Sequence, residues 1–299
     1  MLNRRTLLKG TAGFAVLGLS PDAVLAKTAM HGSIDATEFG VQPDAPDDQS
    51  KAFARMLAEA SERNAPVFLP PGNYVVSNLT LPARVRLSGV PGASRILYGG
   101  DGHLLTAEQA EHIELTALVF DGANRRLADD AQGLIDLRRV AHLVIDNCTV
   151  TGSGKHGLAL EHAAGRIERC EISGAADAGI YSVEAGGLQI SGNTVSDCGN
   201  GGILVHRWQQ AEDGTIVSGN RVQRVSARSG GTGQNGNGIN AFRAGNVSIT
   251  GNIVSDCAFS AIRANSSSNL QITGNTCSRS GETALYSCLL YTSQSPRDS

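Results

Sequence analysis

Aromatic residues are scarce in this chain. One Trp, five Tyr and seven Phe make up 4% of its 299 residues. Gly, by contrast, occurs 36 times. Few rings and many glycines suit short strands and tight turns better than a helical core. An excess of charge of either sign is also missing. The formal net charge is −3 with 18% charged residues, and no basic patch is large enough to engage nucleic acid. With 41% hydrophobic residues the chain is neither disordered nor a membrane bundle. Its length allows a sizeable core. Long apolar runs are missing as well, apart from one near the N-terminus.

That run follows Asn3-Arg4-Arg5-Thr6-Leu7-Leu8-Lys9, extends from Thr11 to Leu19, and leads to Ala23-Val24-Leu25-Ala26. It is too short to span a bilayer comfortably, which takes ~20 residues. Small residues before position 27 suit a signal peptidase. The arginine pair followed by Leu-Leu-Lys resembles the twin-arginine export signal. Residues 1–26 are therefore expected to be a cleaved signal, with the twin-arginine translocase as a partner during export. The mature chain would sit in the periplasm or outside the cell, without a stable membrane span. Removing Arg4, Arg5, Lys9 and Asp22, together +2, leaves a mature charge of −5 (−3 minus +2).

The main feature is a repeat. Six segments align: Leu143–Val150 (LVIDNCTV), Gly165–Ile172 (GRIERCEI), Leu188–Val195 (LQISGNTV), Thr215–Val222 (TIVSGNRV), Val247–Val254 (VSITGNIV) and Leu270–Cys277 (LQITGNTC). Their sixth positions are Cys148, Cys170, Asn193, Asn220, Asn252 and Asn275, spaced 22, 23, 27, 32 and 23 residues apart. A second apolar strand follows, beginning at Leu158, Ile180, Ile203, Ile239, Ile262 and Leu285. Within strands apolar residues alternate, as a one-sided pleated strand requires. A unit of about 23 residues with one apolar face cannot fold alone. Stacked in register at ~4.8 Å, such units bury each inward column against its neighbours. The Asn column then becomes a ladder of side-chain amides, and Gly192, Gly219, Gly251 and Gly274 before it suit bends of positive φ. The fold class expected is all-β, a right-handed single-stranded parallel β-helix with an N-terminal capping helix and two strands per repeat.

Cysteine fits the same frame. Cys148 and Cys170 occupy the ladder position, Cys198 and Cys257 lie five residues after Asn193 and Asn252, and Cys277 replaces an inward Val. These read as small buried hydrophobes rather than a disulfide framework, although a Cys148–Cys170 bridge between adjacent turns is geometrically allowed. No spacing fits a zinc motif. No metal or cofactor is expected; Ca²⁺ stays open but no motif indicates it.

Before the repeats, Ser50 to Arg63 reads as a helix with Phe53, Met56, Leu57 and Ala60 on one face, capped by Asp48 or Ser50. Strand–turn–strand signals follow in Val67–Val76 (VFLPPGNYVV). The run Phe39-Gly40, Asp44, Asp47-Asp48, Ala52-Phe53, Phe68–Tyr74 (FLPPGNY) and Leu87-Ser88-Gly89 resembles the N-terminal signature of the pectate-lyase-like superfamily. Polygalacturonases, alginate epimerases and phage tailspikes belong to it. The resemblance implies that the helix caps the open end of the β-helix. Signal, cap and Ile-x-Gly-Asn turns together resemble a bacterial family of twin-arginine-translocated repeat proteins, over roughly residues 1–287. The division expected is 1–26 signal, 27–100 cap and first turns, 101–287 repeats. Residues 288–299 (CLLYTSQSPRDS) abandon the repeat, resemble adaptor read-through, and are expected to be a non-native tail on a truncated chain.

Outward positions of the second strand form two columns: Ala159, Tyr181, Leu204, Asn240, Arg263, Tyr286 and Glu161, Val183, His206, Phe242, Asn265. Two insertions, Arg207 to Gly214 and Ala227 to Gly238, flank them. Longer loops on one side of a solenoid often build a site. Asp177, His206 and Arg263 are the catalytic candidates, as proton carriers and as a cation for a sugar carboxylate. Tyr181, Trp208, Asn240 and Arg243 are the substrate-binding candidates. The Gly-His-Gly of polygalacturonases and the Tyr-Gly-x-Asp-Pro-His run of alginate epimerases are both missing. Lys155-His156-Gly157 is a partial echo of the former. Two function classes stay open: binding or cleavage of an acidic polysaccharide by a lyase or hydrolase, and a non-catalytic envelope scaffold or glycan-binding protein.

Overall fold

Alternating apolar residues decide where the strands lie. In a computed structural model, which describes residues 32–231 and 233–288, the chain winds as a parallel β-helix. The expected signal at 1–26 and the tail from 289 onward lie outside the described residues. The later turns carry three strands rather than two, whereas in the earlier ones Leu105–Thr116 and Gly133–Asp146 run on as single long strands. The turn around Asn193 shows why: Gln189–Ser191 and Thr194–Ser196 are separate strands, broken at Gly192-Asn193, and Gly201–Glu212 completes the rung. Gly192 sits at φ +64, a left-handed bend that cuts one apolar segment into two strands. Asn147 and Arg169 take the same bend at φ +52 and +53 in the two preceding turns.

Among the described residues every strand pair is parallel, and the inward columns are in register. Leu158, Ile180, Ile203, Ile239, Ile262 and Leu285 stack in one inward column. Ile167, Ile190, Val217 and Ile249 form a second, and Ile172, Val195, Val222 and Val254 a third. Nearly all are fully buried, Leu285 on the final rung excepted. Each such burial is worth roughly 1.5–3 kcal/mol, and a column repeats it at every rung.

The amide ladder runs along one corner. Oδ1 of Asn193, Asn220, Asn252 and Asn275 each accepts the backbone N–H one rung earlier, at 2.9 Å throughout. Cys148, Cys170, Cys198 and Cys257 are buried free thiols.

The cap helix, Ser50–Glu62, lays Phe53, Met56, Leu57 and Ala60 on the first rungs, with Phe53 edge-on to Tyr74 at 5.8 Å. Its N-cap is Gln49, and neither Asp48 nor Ser50 caps it in the expected way. Asp48 accepts from the Ser50 N–H at 2.9 Å, while the Ser50 hydroxyl accepts from Ser77 N–H at 2.7 Å. The helix start is thus tied to the rung beneath it. Among the described residues no helix is long and apolar enough to cross a membrane.

Candidate functional site

The candidate residues lie on the outward face of the strands that begin at Leu158, Ile180, Ile203, Ile239 and Ile262. Register extends the two expected columns toward the N-terminus. One runs Thr80, Thr106, Asp136, Ala159, Tyr181, Leu204, Asn240, Arg263 and Tyr286. The other runs Glu108, Arg138, Glu161, Val183, His206, Phe242 and Asn265. Two adjoining hollows lie on this face. The larger, about 390 Å³, is lined by Asn78, Thr106, Glu108, Asp130, Asp136 and Arg138 among others. The smaller, about 140 Å³, joins Asp136, Arg138, Glu161, Tyr181 and Trp208.

Asp136 and Arg138 are the shared wall. Arg138 Nε and Nη2 donate to the two Asp136 oxygens at 3.2 and 3.0 Å, and Gln132 N–H adds a third bond at 3.0 Å. The hydrogen bond to Asp136 raises the Arg138 pKa. Sequence reasoning missed both residues. A signal for them exists: 23 positions before Leu158 lies Ile135, with Asp136 next to it. It is a faint one, because no Gly-Asn pair marks the earlier turns.

Asp177 lies beside this hollow. Its Oδ1 accepts from Asn200 Nδ2 at 3.0 Å, and its Oδ2 is 3.7 Å from His156 Nε2. His156 Nδ1 accepts the Ala178 N–H at 3.1 Å. A neutral ring must therefore carry its proton on Nε2, facing Asp177. Burial lowers the His156 pKa, against the opposing pull of Asp177 and Asp136. Tyr181 stacks on His156 with ring centroids 4.7 Å apart. Burial raises the Tyr181 pKa, and the neighbouring Glu161 and Asp177 raise it further.

His206 meets Tyr181 and Phe242 edge-on at 5.5 and 5.6 Å. Its Nε2 is buried without a hydrogen-bond partner. Burial, then the neighbouring His156, pushes its pKa down to about 4. Such a ring is neutral near pH 7 and a weak base. His156, named in sequence only for its partial motif, supplies the oriented N–H instead.

Trp208 is exposed, at 52%. The insertion carrying it is not a loop. It prolongs the strand Gly201–Glu212, with a register shift between His206 and Ala211. Arg243 Nη1 donates to the Trp208 carbonyl, and its guanidinium stands 4.8 Å over the Phe242 ring.

Asn240 and Arg263 share the face but are covered, at 5% and 8% exposure. The second insertion lies over Arg263. A Cβ on Gly233 would stand 2.5 Å from Arg263 Nη1. The guanidinium rests 4.0 Å over the Tyr286 ring and 3.5 Å from Glu282. Tyr181 and Trp208 thus line the smaller hollow, Asp177 and His206 adjoin it through His156 and Tyr181, and Asn240 and Arg263 line neither hollow. Among the described residues no group of three or more His, Cys, Asp or Glu could hold a metal ion.

Residues 132–276 match the family described as right handed beta helix region, and residues 33–107 match the rhamnogalacturonase A/epimerase, pectate lyase-like family. No curated protein matches the chain. Among solved structures, the chain is similar to the pre-mature gene product 12 of bacteriophage phi29, at 20% identity and TM-score 0.61. That match covers 77% of this chain, which spans only 34% of the phage protein's length. A mannuronan C-5 epimerase A-module from Azotobacter vinelandii matches at 17% identity and TM-score 0.59, covering 84% of this chain and 77% of that one. A hyperthermoactive exopolygalacturonase from Thermotoga maritima matches at 12% identity and TM-score 0.52, covering 85% and 75%. Likeness at these identities speaks for the fold. The two families matched on adjoining residues, and the parallel stack on which both lie, support the pectate-lyase-like superfamily of right-handed parallel β-helix proteins for this chain.

Proposed function

We propose that this protein is exported by the twin-arginine route and acts, in the periplasm or outside the cell, on an acidic polysaccharide laid along the outward face. Within the superfamily it would belong with the twin-arginine-translocated repeat proteins. The observation that carries the reading is the open groove itself. It crosses successive rungs and brings Asp136, Glu161 and Asp177 around Tyr181. Rungs ~4.8 Å apart are close to the length of one sugar, so an extended chain meets a new set of side chains at each unit. The matched mannuronan epimerase and exopolygalacturonase are consistent with a polysaccharide ligand.

Cleavage needs a proton carrier beside the glycosidic bond. Asp177 fits that role, since Asn200 fixes one oxygen and the other faces the His156 N–H. Glu161 is the second carboxylate on the same face. A pair of this kind serves hydrolysis directly. Elimination from a uronide would use the same proton carrier, with a cation against the sugar carboxylate; Arg138 is the cation nearest the hollow. A second reading, a non-catalytic glycan-binding scaffold, is favoured by one observation. The charges of the face are mostly tied to each other, as in Asp136–Arg138, Glu184–Arg207 and Glu282–Arg263.

The test is incubation of the folded protein with a panel of polyuronides and neutral glycans. New unsaturated ends absorbing in the ultraviolet mark a lyase, and new reducing ends without that absorbance mark a hydrolase. Binding without either product marks the scaffold. Absence of binding to every member of the panel rejects the polysaccharide reading.

A further inference from the structure

Trp208 combines two properties that rarely coincide. Its indole is largely in water, yet its backbone is clamped on both polar groups. The Trp208 N–H donates to Glu184 Oε1 at 2.7 Å, and Arg243 Nη1 donates to its carbonyl. Glu184 is itself fixed, its other oxygen accepting from Arg207 Nη2 at 2.6 Å. Arg207 Nη1 stands 3.7 Å from Asp213, whose side chain has no exposure at all. An acid–arginine–acid cluster buried beside an exposed ring has an electrostatic cost, and holding the ring in water gains nothing from burial. The indole and the His162 ring meet in a T-shaped contact, 5.4 Å apart by ring centroids, and the residue borders the smaller hollow beside Tyr181. It is also the chain's only Trp.

The groove has a definite end at this place. Neither hollow reaches the rungs beyond, where Gly233 lies against Arg263. From Thr80 to Tyr181 the two hollows cover four rung steps, ~19 Å at ~4.8 Å each.

We propose that Trp208 is a fixed stacking platform closing one end of the groove. The site then takes a run of about four to five sugar units, with the terminal unit on the indole. Glu184 is the positioning residue that holds the platform. The proposal rests on the polysaccharide reading and adds to it a ligand length and an end-stop. An aromatic ring packs on the C–H face of a pyranose whatever charge that sugar carries. Length selection comes from the number of open rungs rather than from any one contact.

The lone Trp makes the test direct. Calorimetry with oligogalacturonates, oligomannuronates and cello-oligosaccharides of two to six units, run beside intrinsic fluorescence, reads binding and platform separately. Affinity should rise with length and level off at about four to five units, and binding should shift the Trp emission. Trp208→Ala, a change at an exposed position, should weaken the longest bound oligomer about tenfold or more and leave the melting temperature unchanged. Glu184→Ala should raise acrylamide quenching of Trp208 and weaken binding. Glu184→Gln, whose amide oxygen can still accept the Trp208 N–H although its NH2 then faces Arg207, should restore both in part. If oligomers bind without an emission change and Trp208→Ala binds as tightly as wild type, the platform is overturned while the polysaccharide reading stands. If calorimetry finds no oligomer bound at all, both fall together.

Discussion

Nδ2 and the backbone N–H of Asn220 both donate to Oδ1 of Asn252, each at 2.9 Å. One side-chain oxygen thus serves two donors from the rung before it, and Asn220 Oδ1 does the same for Asn193. Asn220→Leu adds apolar surface but removes that acceptor and the donor that reaches the Ile190 carbonyl at 2.9 Å. The Asn193 N–H and the Ile190 carbonyl are left short of partners in a buried corner. At ~1–3 kcal/mol for each unsatisfied group, the domain should lose about 2–5 kcal/mol. Thermal and urea melts check this; an unchanged or raised midpoint contradicts the ladder as a stabilising element.

Two glycines of similar appearance should behave differently. A Cβ at Gly202 would meet the Gly238 carbonyl oxygen at 2.3 Å and Val222 Cγ1 at 2.4 Å. Gly202→Ala should therefore cost about 1–3 kcal/mol or more through overpacking. Gly219 has φ +63 but open space around it, and Asn147 occupies the same corner at φ +52. Gly219→Asn should cost less than about 1 kcal/mol, since Asn tolerates the left-handed region. Equal losses in the two variants would contradict the packing account.

Stability should fall in mild acid. An unfolded His206 takes its proton near pH 6.5, whereas the folded one resists until about 4. Between those values the unfolded state binds more protons, so stability drops as pH falls through that window and levels below it. The contribution is at most about 3 kcal/mol. His156, whose pKa is also lowered by burial, adds in the same sense. His206→Gln should flatten this limb in pH-dependent melts; an identical limb in the variant assigns the acid sensitivity elsewhere.

If the face cleaves its ligand, Asp177→Asn should lower turnover by about 10²-fold or more, the usual worth of a general acid or base. Binding of oligomers should stay within a few-fold of wild type, because Asn keeps the bond-accepting oxygen. Separate turnover and calorimetric measurements check this, and full activity in the variant excludes Asp177 as the proton carrier.

Export should depend on guanidinium recognition at the N-terminus. Replacing Arg4 and Arg5 together by Lys keeps the charge and removes the planar donor fork. Cell fractionation should then find uncleaved precursor in the cytoplasm. Normal export of this variant would assign the segment to a different route.

Much of the rung geometry was legible in sequence. Once Cys170, Asn193, Asn220 and Asn252 are aligned, the step to the next strand, nineteen residues after Asn220 and ten after the other three, places Tyr181, Leu204, Asn240 and Arg263 in one column, as the register has it. The third strand of the later turns was hidden, because Ile190 and Val195 belong to one continuous apolar segment. Only the positive φ at Gly192 divides it. The candidate site was less legible. Asp136 and Arg138 sit on turns without the Gly-Asn mark, so local pattern gave no reason to join them to Glu161.

The division has a physical cause. A repeated pattern of inward apolar residues specifies a parallel stack, since only stacking buries each one-sided unit, and that information is contained within each turn of the sequence. Which outward groups are open to a ligand depends on what crosses over them from other turns. Arg263 and Trp208 read alike in sequence, as polar-face residues beside an insertion. Tertiary structure separates them: Gly233, brought over from the preceding turn, covers Arg263, while Glu184, one rung below, holds Trp208 out beside the groove. Coverage and support of this kind arise between residues far apart in the chain, and only the folded arrangement decides them.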